Sequence, residues 1–271
     1  MEIPRTAEQM NLVIATPTLG RSPFLADTVA SVAAAAPQAR HVLVAPASEV
    51  AQIRRRFPSV EVRVEKRPGL YGAVNLALSS ASDWDFATYV NDDDLLEPAL
   101  SDGWAKSNCR PAPDVVFGNV DYIDENARVI AAFPVSRCTE DVPGLLAAGV
   151  APFTQQGTLI GADLWRRLGG FDESFRLAGD FDFWLRAAAA GAKFEFIARK
   201  VAHFRVRRGQ LSGATATTRS EIRSALDRTP LAVSRFNQVR ALIRFRLANF
   251  PRIIARFART GRLRSRTLLQ G

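Results

Sequence analysis

Cysteine is nearly absent. Cys109 and Cys138 are the only two in 271 residues, with no CxxC and no histidine cluster near them. Neither a disulfide framework nor a structural zinc site is supported, and a reducing compartment fits. The opening MEIPRTAEQM has no basic segment leading into an apolar run, and nowhere do about 18 apolar residues follow one another, so neither a signal peptide nor a spanning helix is expected. That reading places the chain in the cytoplasm. Repeats and low-complexity segments are also missing. What is present is 47% hydrophobic and 23% charged residues with 17 Gly and 15 Pro, which excludes disordered and collagenous chains and leaves room for a sizeable core.

Acids are missing from one end. Residues 219–271 hold 13 Arg, no Lys and only Glu221 and Asp227, a net of +11, whereas the whole chain carries +9. Residues 1–218 are therefore slightly acidic, at −2, and all the positive excess sits in the tail. Such asymmetry bears on attraction to polyanions rather than on fold.

Short apolar, β-branched runs alternate with helical patterns through the first half, the order of βαβ units and a mainly parallel sheet. Strands are predicted at 11–16, 41–45, 60–64, 86–90 and 114–118, with helices at 23–36, 49–56, 71–80 and 98–107. A hairpin follows, turning near Glu125 and Asn126, then helices at 142–148, 162–168 and 181–190 and two last strands, KFEFIA and VAHFRV. Residues 1–218 read as one α/β domain with a mixed, mainly parallel central sheet flanked by helices, and 219–271 as a basic helical tail. Ligands of such sheets gather at the carboxyl ends of strands, which directs attention to the loops starting at Thr16, Ala45, Lys66 and Asn91.

One of those loops is YVNDDDLLEP, where an apolar strand runs into Asn91, Asp92, Asp93 and Asp94. Three successive carboxylates repel one another unless a cation or a phosphate-bound metal shares the site; a solvated acidic turn is the competing reading. A second feature is AGDFDFWLRAAAAG, with Asp180 and Asp182 at the front of an amphipathic helix. Either residue is explained equally well as a helix-start acid favoured by the macrodipole.

The chain resembles the family 2 glycosyltransferases of GT-A fold, in particular the bacterial branch that builds cell-surface polysaccharides. The resemblance spans roughly residues 11–213 and rests on ordered motifs: TPTLGR, RPGLYGAVNLAL, YVNDDDLLEP, VVFGNVDYID, TQQGTLIGADLWRRLGGFDESF, AGDFDFWLR and FRVRRGQLSG. It implies transfer of a sugar from a nucleotide-diphosphate donor to a saccharide or lipid-linked saccharide acceptor, with inversion and with a divalent metal, Mn or Mg, on the diphosphate. By the same resemblance, Asn91 and Asp92 lie at the donor, Asp93 and Asp94 are metal contacts and Asp180 is the catalytic base. Thr16 and Pro17 hold the nucleoside, and Gly69, Gly72 and Asn75 line the donor loop. Asp182 is an orienter or cap.

Two positions depart from the family pattern. HVLVAPASE offers Ala45, Pro46 and Ala47 where an acid usually reads the nucleobase. Arg207 replaces a late metal- or phosphate-contacting histidine; it cannot ligate a metal but can clamp a diphosphate. His203 lies on the same strand face two alternations earlier. A sugar-nucleotide nucleotidyltransferase and a catalytically silent nucleotide-sugar-binding protein are the rival readings; the first should carry a Gly-rich, basic phosphate loop after strand one. In the tail, apolar residues and arginines from Ala232 to Phe257 follow helical spacing. They fit an anionic membrane surface, or a helix packed on the body. Nucleic acid is disfavoured because no RNA-binding motif or Gly-Arg repeat occurs.

Overall fold

The computed structural model describes residues 11–81, 83–100, 112–207 and 215–261. Four parallel strands open it: β1 (Leu12–Pro17), β2 (Arg40–Ala45), β3 (Glu61–Val64) and β4 (Phe86–Tyr89), connected by α1 (Leu25–Ala35), α2 (Ala47–Arg56) and α3 (Leu70–Ser79). The two-residue β5 (Leu95–Leu96) follows the acidic loop. Next come β6 (Val115–Ile123) and β7 (Val129–Ala132), a hairpin closed by Asp124, whose carboxylate accepts from the Asn126 and Arg128 amides. The remaining elements are α4 (Val142–Ala147), β8 (Leu159–Gly161), α5 (Ala162–Leu168), α6 (Gly179–Ala189), β9 (Phe194–Arg205), α7 (Thr215–Arg228) and α8 (Arg235–Thr260).

The strands form one sheet in the order β3-β2-β1-β4-β8-β6-β9-β5, with β7 added to β6. β1 is apolar on both faces, as a strand covered by helices on each side must be. Val13 and Ala15 enter one apolar cluster and Ile14 the other. The larger cluster packs Trp84, Phe117, Phe153, Trp165, Phe171 and Trp184 under α3, α5 and α6. The aromatic residues of the 165–184 segment are thus core.

Three expectations change. The two last strands are a single twelve-residue strand, β9, which keeps pairing with β6 across two register irregularities. The helix expected at 98–107 starts at Ala99 but lies almost wholly outside the described residues, as do Cys109 and residues 208–213 of the last motif. The supposed domain boundary at 218/219 falls inside α7, and both tail helices pack on the body: α7 against α6, α8 against α4 and β7.

Candidate active site

The strand order reverses between β1 and β4: from β1 the chain moves outward to β2 and β3, then returns to β4 on the other flank of β1. A crevice opens beyond the carboxyl ends at such a reversal. The loops leaving β1 and β4 meet there. Thr18 Oγ1 donates to Asp92 Oδ2 at 2.5 Å, and Ser22 Oγ donates to the Asp92 carbonyl at 2.8 Å.

The three consecutive aspartates have three different surroundings. Asp92 faces the β1 loop, and burial pushes its pKa up to about 6 against the opposing Thr18 hydrogen bond. Asp93 is 3% exposed, and its Oδ2 accepts from Arg207 Nε at 2.8 Å. Asp94 is wholly buried. Its Oδ1 accepts from the Arg205 backbone amide at 2.8 Å, and its Oδ2 from Gln156 Nε2 at 2.8 Å and Asn91 Nδ2 at 3.0 Å. Burial, with the Asp93 charge second, raises the Asp94 pKa well above the carboxylate range. Asp94 was expected as a metal contact, and its surroundings here are those of an anchor. With no surface and both oxygens occupied, it pins the acidic loop to the core, and Asn91 serves the same purpose.

Arg205 completes that anchorage. Fully buried, it donates from Nε to the Asp93 carbonyl and from Nη1 to the carbonyls of Asp124 and Glu125, while its guanidinium stacks 4.2 Å over Phe24. β9 thus delivers Arg205 and Arg207 to one loop, the first as a strut and the second as a charge partner. His203 pairs with Glu97 and is a strand residue.

Asp180 sits in the first turn of α6 and remains partly open to solvent. The protein around it desolvates the carboxyl and pushes its pKa up to about 6, against hydrogen bonds from the Phe181 amide at 2.8 Å and the Tyr71 hydroxyl at 3.3 Å. Tyr71 reaches it because residue 179 is glycine: a Cβ there would meet the Tyr71 ring at 2.6 Å. Tyr89, at the end of the strand that runs into the acidic loop, stands beside Tyr71, and its pKa is raised by burial first and then by Tyr71, Asp180 and Asp94. The acidic loop, through Asp94, and Asp180 both act electrostatically on the buried Tyr89. Asp182, by contrast, forms a 2.7 Å ion pair with Arg186, whose other nitrogens hold the carbonyls of Leu168 and Gly170.

Two of the expected donor contacts, Asn75 and Thr16, are engaged within the protein. The Asn75 amide is occupied on both ends by the Phe171 backbone, donating at 2.8 Å and accepting at 3.0 Å, so it holds the 170–173 turn. Thr16 is fully buried with its hydroxyl on His41 Nε2 at 2.9 Å. Pro17 is half-buried at the end of β1, and Gly69 starts α3 at φ +151° with open space around it. Thr18, Tyr71, Tyr89, Arg205 and Glu221 are the site-building residues that the sequence reading did not assign. Glu221, in α7, accepts from the backbone amides of Arg176, Leu177 and Ala178 at 2.8 to 3.0 Å and so clamps the loop entering Asp180. Gln155 is 5% exposed, and neither amide atom has a partner among the described residues.

Among the described residues no three His, Cys, Asp or Glu side chains converge into a metal cage. A cation carried on a diphosphate does not need one, since it draws most ligands from phosphate and water and only one or two from carboxylates. Asp93 keeps Oδ1 outside its pair with Arg207, and Asp92 stands beside it. Both fit that demand.

No protein-family model and no curated protein matches the sequence. Solved structures do match. TarS of S. aureus, residues 1–349 in complex with UDP-GlcNAc, superposes with a TM-score of 0.62 at 16% identity, covering 96% of this chain and 78% of that one. The mannosyltransferase PcManGT from Pyrobaculum calidifontis, in complex with GDP-Man and Mn2+, gives 0.60 at 16% identity, covering 95% and 76%. At such identity the likeness speaks for architecture: this chain has the GT-A-like glycosyltransferase fold.

Proposed function

We propose that the protein is an inverting glycosyltransferase that moves a sugar from a nucleotide-diphosphate donor to a hydroxyl of a saccharide or lipid-linked saccharide, in the assembly of cell-surface polysaccharide. The observation that carries this reading is the pairing, around the buried Tyr89, of an acidic loop at the β1/β4 crevice with a partly open carboxyl that is held by Tyr71 and has a pKa of about 6. A base must be ionised near neutral pH yet basic enough to accept a proton. Asp180 meets both demands.

In this mechanism Asp180 takes the proton from the acceptor hydroxyl while that oxygen attacks the anomeric carbon. The bond from that carbon to the diphosphate oxygen breaks on the opposite face, and the nucleoside diphosphate leaves. Asp93 and Asp92 would hold a divalent metal, which supplies charge neutralisation to the diphosphate. Arg207 adds a permanent cation beside it, able to contact phosphate bidentately once it turns from Asp93. Gln155, buried with no partner among the described residues, offers its amide N–H donors and carbonyl oxygen to a sugar hydroxyl; a buried amide left unpaired is otherwise costly. Neither Asn75 nor Asp94 has a donor role in this account.

Asp180→Asn tests the central step. Donor affinity by calorimetry should be retained while turnover falls by roughly 10²-fold or more, and an α-linked donor should yield a β-linked product by NMR. Turnover within a few-fold of wild type would reduce Asp180 to a helix-start residue; an α product would reject inversion. The nucleobase is approached with a panel of uridine and guanosine diphosphate sugars, because the neighbours bind UDP-GlcNAc and GDP-Man respectively.

A further inference from the structure

Helix α8 has two faces of opposite character. Its inner face is fixed on the body. Ala241, Asn249 and Arg256 are buried, and the Asn249 side chain bonds both the amide and the carbonyl of Val135 at 3.1 Å. Arg252 holds the Phe133 carbonyl at 3.0 Å and Asn119 Oδ1 at 2.6 Å, and Arg244 pairs with Asp141 at 3.2 Å. Ala241 lies so close to Gly144 that a Cβ there would meet its methyl at 3.0 Å. The rotation of the helix about its axis is thereby set.

That rotation turns an apolar stripe away from the protein. Phe236, Val239, Ile243, Leu247, Phe250, Ile254 and Phe257 recur every three or four residues and are 47% to 74% exposed. They are seven of the ten large apolar side chains exposed among the described residues, so the patch is concentrated rather than scattered. At 100° per residue, Arg235 and Arg246 flank the stripe on one side and Arg240 on the other, with Arg244 beyond it held by Asp141. No Asp or Glu occurs anywhere after Asp227, and Arg262, Arg264 and Arg266 follow in the sequence.

We propose that α8 docks the protein on an anionic lipid surface, lying in the plane of the interface with this stripe in the acyl boundary and the flanking arginines at headgroup phosphates. A helix with an aromatic and aliphatic face bordered by basic residues suits that position. A second copy is the poorer occupant, because pairing two such stripes would bring arginine flanks together with no acid on either helix to offset them. No described helix is long and apolar enough to cross a membrane, so the contact is one of surface. The proposal stands independently of sugar transfer: an inactive protein would dock equally well.

The test is co-sedimentation of the full-length protein with phosphatidylcholine vesicles containing or lacking phosphatidylglycerol. Binding should require the anionic lipid and weaken as salt screens exposed charges over a Debye length of about 8 Å at physiological ionic strength. Leu247→Gln with Phe250→Gln, both on the exposed face, should leave the circular dichroism melt unchanged and lower vesicle affinity by roughly tenfold or more. Arg240→Gln with Arg246→Gln should lower it on anionic vesicles and flatten the salt dependence. Three results would overturn the proposal: no binding to anionic vesicles at low salt, binding unaffected by the apolar pair, or concentration-dependent dimers that the apolar pair abolishes.

Discussion

Asp180 and His41 show how burial sets chemistry one residue at a time. Desolvation lifts Asp180 to about 6, and the Tyr71 hydroxyl partly opposes it by favouring the ionised form. Turnover should therefore rise with pH to a plateau above about 6. Tyr71→Phe removes the opposing hydrogen bond, so its rising limb should shift to higher pH in a kcat profile; an unshifted limb would assign the titration to another group. Burial acts on His41 with the other sign, depressing its pKa from 6.5 to about 4. A histidine depressed in the folded state contributes stability above its unfolded pKa, and that contribution is lost as pH falls from 6.5 toward 4. The slope is at most about 1.4 kcal/mol per pH unit. His41→Gln should flatten that part of the urea-midpoint curve relative to wild type. The neighbouring aspartates separate fold from function. Asp94→Ala, which strips partners from Gln156, Asn91 and the Arg205 amide, should cost roughly 3 kcal/mol or more. Asp93→Ala, whose half-exposed partner Arg207 can turn to water, should cost less than Asp94→Ala yet abolish metal-supported donor binding by calorimetry.

Among the elements, α7 and β9 matter more to the site than their positions in the chain suggest. Glu221 caps three successive amides of the loop that enters α6, which makes α7 a clamp on Asp180 rather than an appendage. Glu221→Ala should destabilise by about 1–3 kcal/mol and reduce kcat more than it raises the donor KM, since the donor loop is untouched. Glu221→Gln, which retains one acceptor, should recover part of that loss. β9 runs alongside the full length of β6 in twelve residues and ends with Arg205 bonded to the acidic loop. Its length is what allows a strand begun beside Val115 to finish at Asp93.

For the molecule as a whole, charge and surface are segregated: the metal-type acids sit at one crevice, and the arginines accumulate on the last helices. The body and those helices are nonetheless one packed unit. Removing residues 229–271 would expose the α4 surface around Gly144 and strip the Val135 backbone of Asn249. Such a truncation should melt well below the full chain, and side-chain replacements on the exposed stripe are the cleaner perturbation. A cognate nucleotide sugar with Mn should raise apparent stability by about 2.7 kcal/mol at a concentration of 100 Kd. Asp93→Ala should erase that gain in a thermal-shift measurement.

The parallel strands β1 to β4, their helices and the acidic turn were legible in the sequence because periodicity and strand-end position are local properties. So was the apolar-basic alternation of the tail. The sequence also placed Asp180 at the front of a helix and Arg207 directly after the last strand. It could not assign partners. Asp94 is joined to Gln156 and to the Arg205 amide across 62 and 111 residues, and Asp93 to Arg207 across 114. Three adjacent, chemically identical carboxylates become a loop contact, an ion pair with Arg207 and a core anchor only because the turn aims each at a different distant element. Likewise, the structure shows α8 packed on the body through one face with its apolar face turned outward. Helical spacing determines that two faces exist; only the docking of Ala241 and Asn249 on the body decides which of them looks outward.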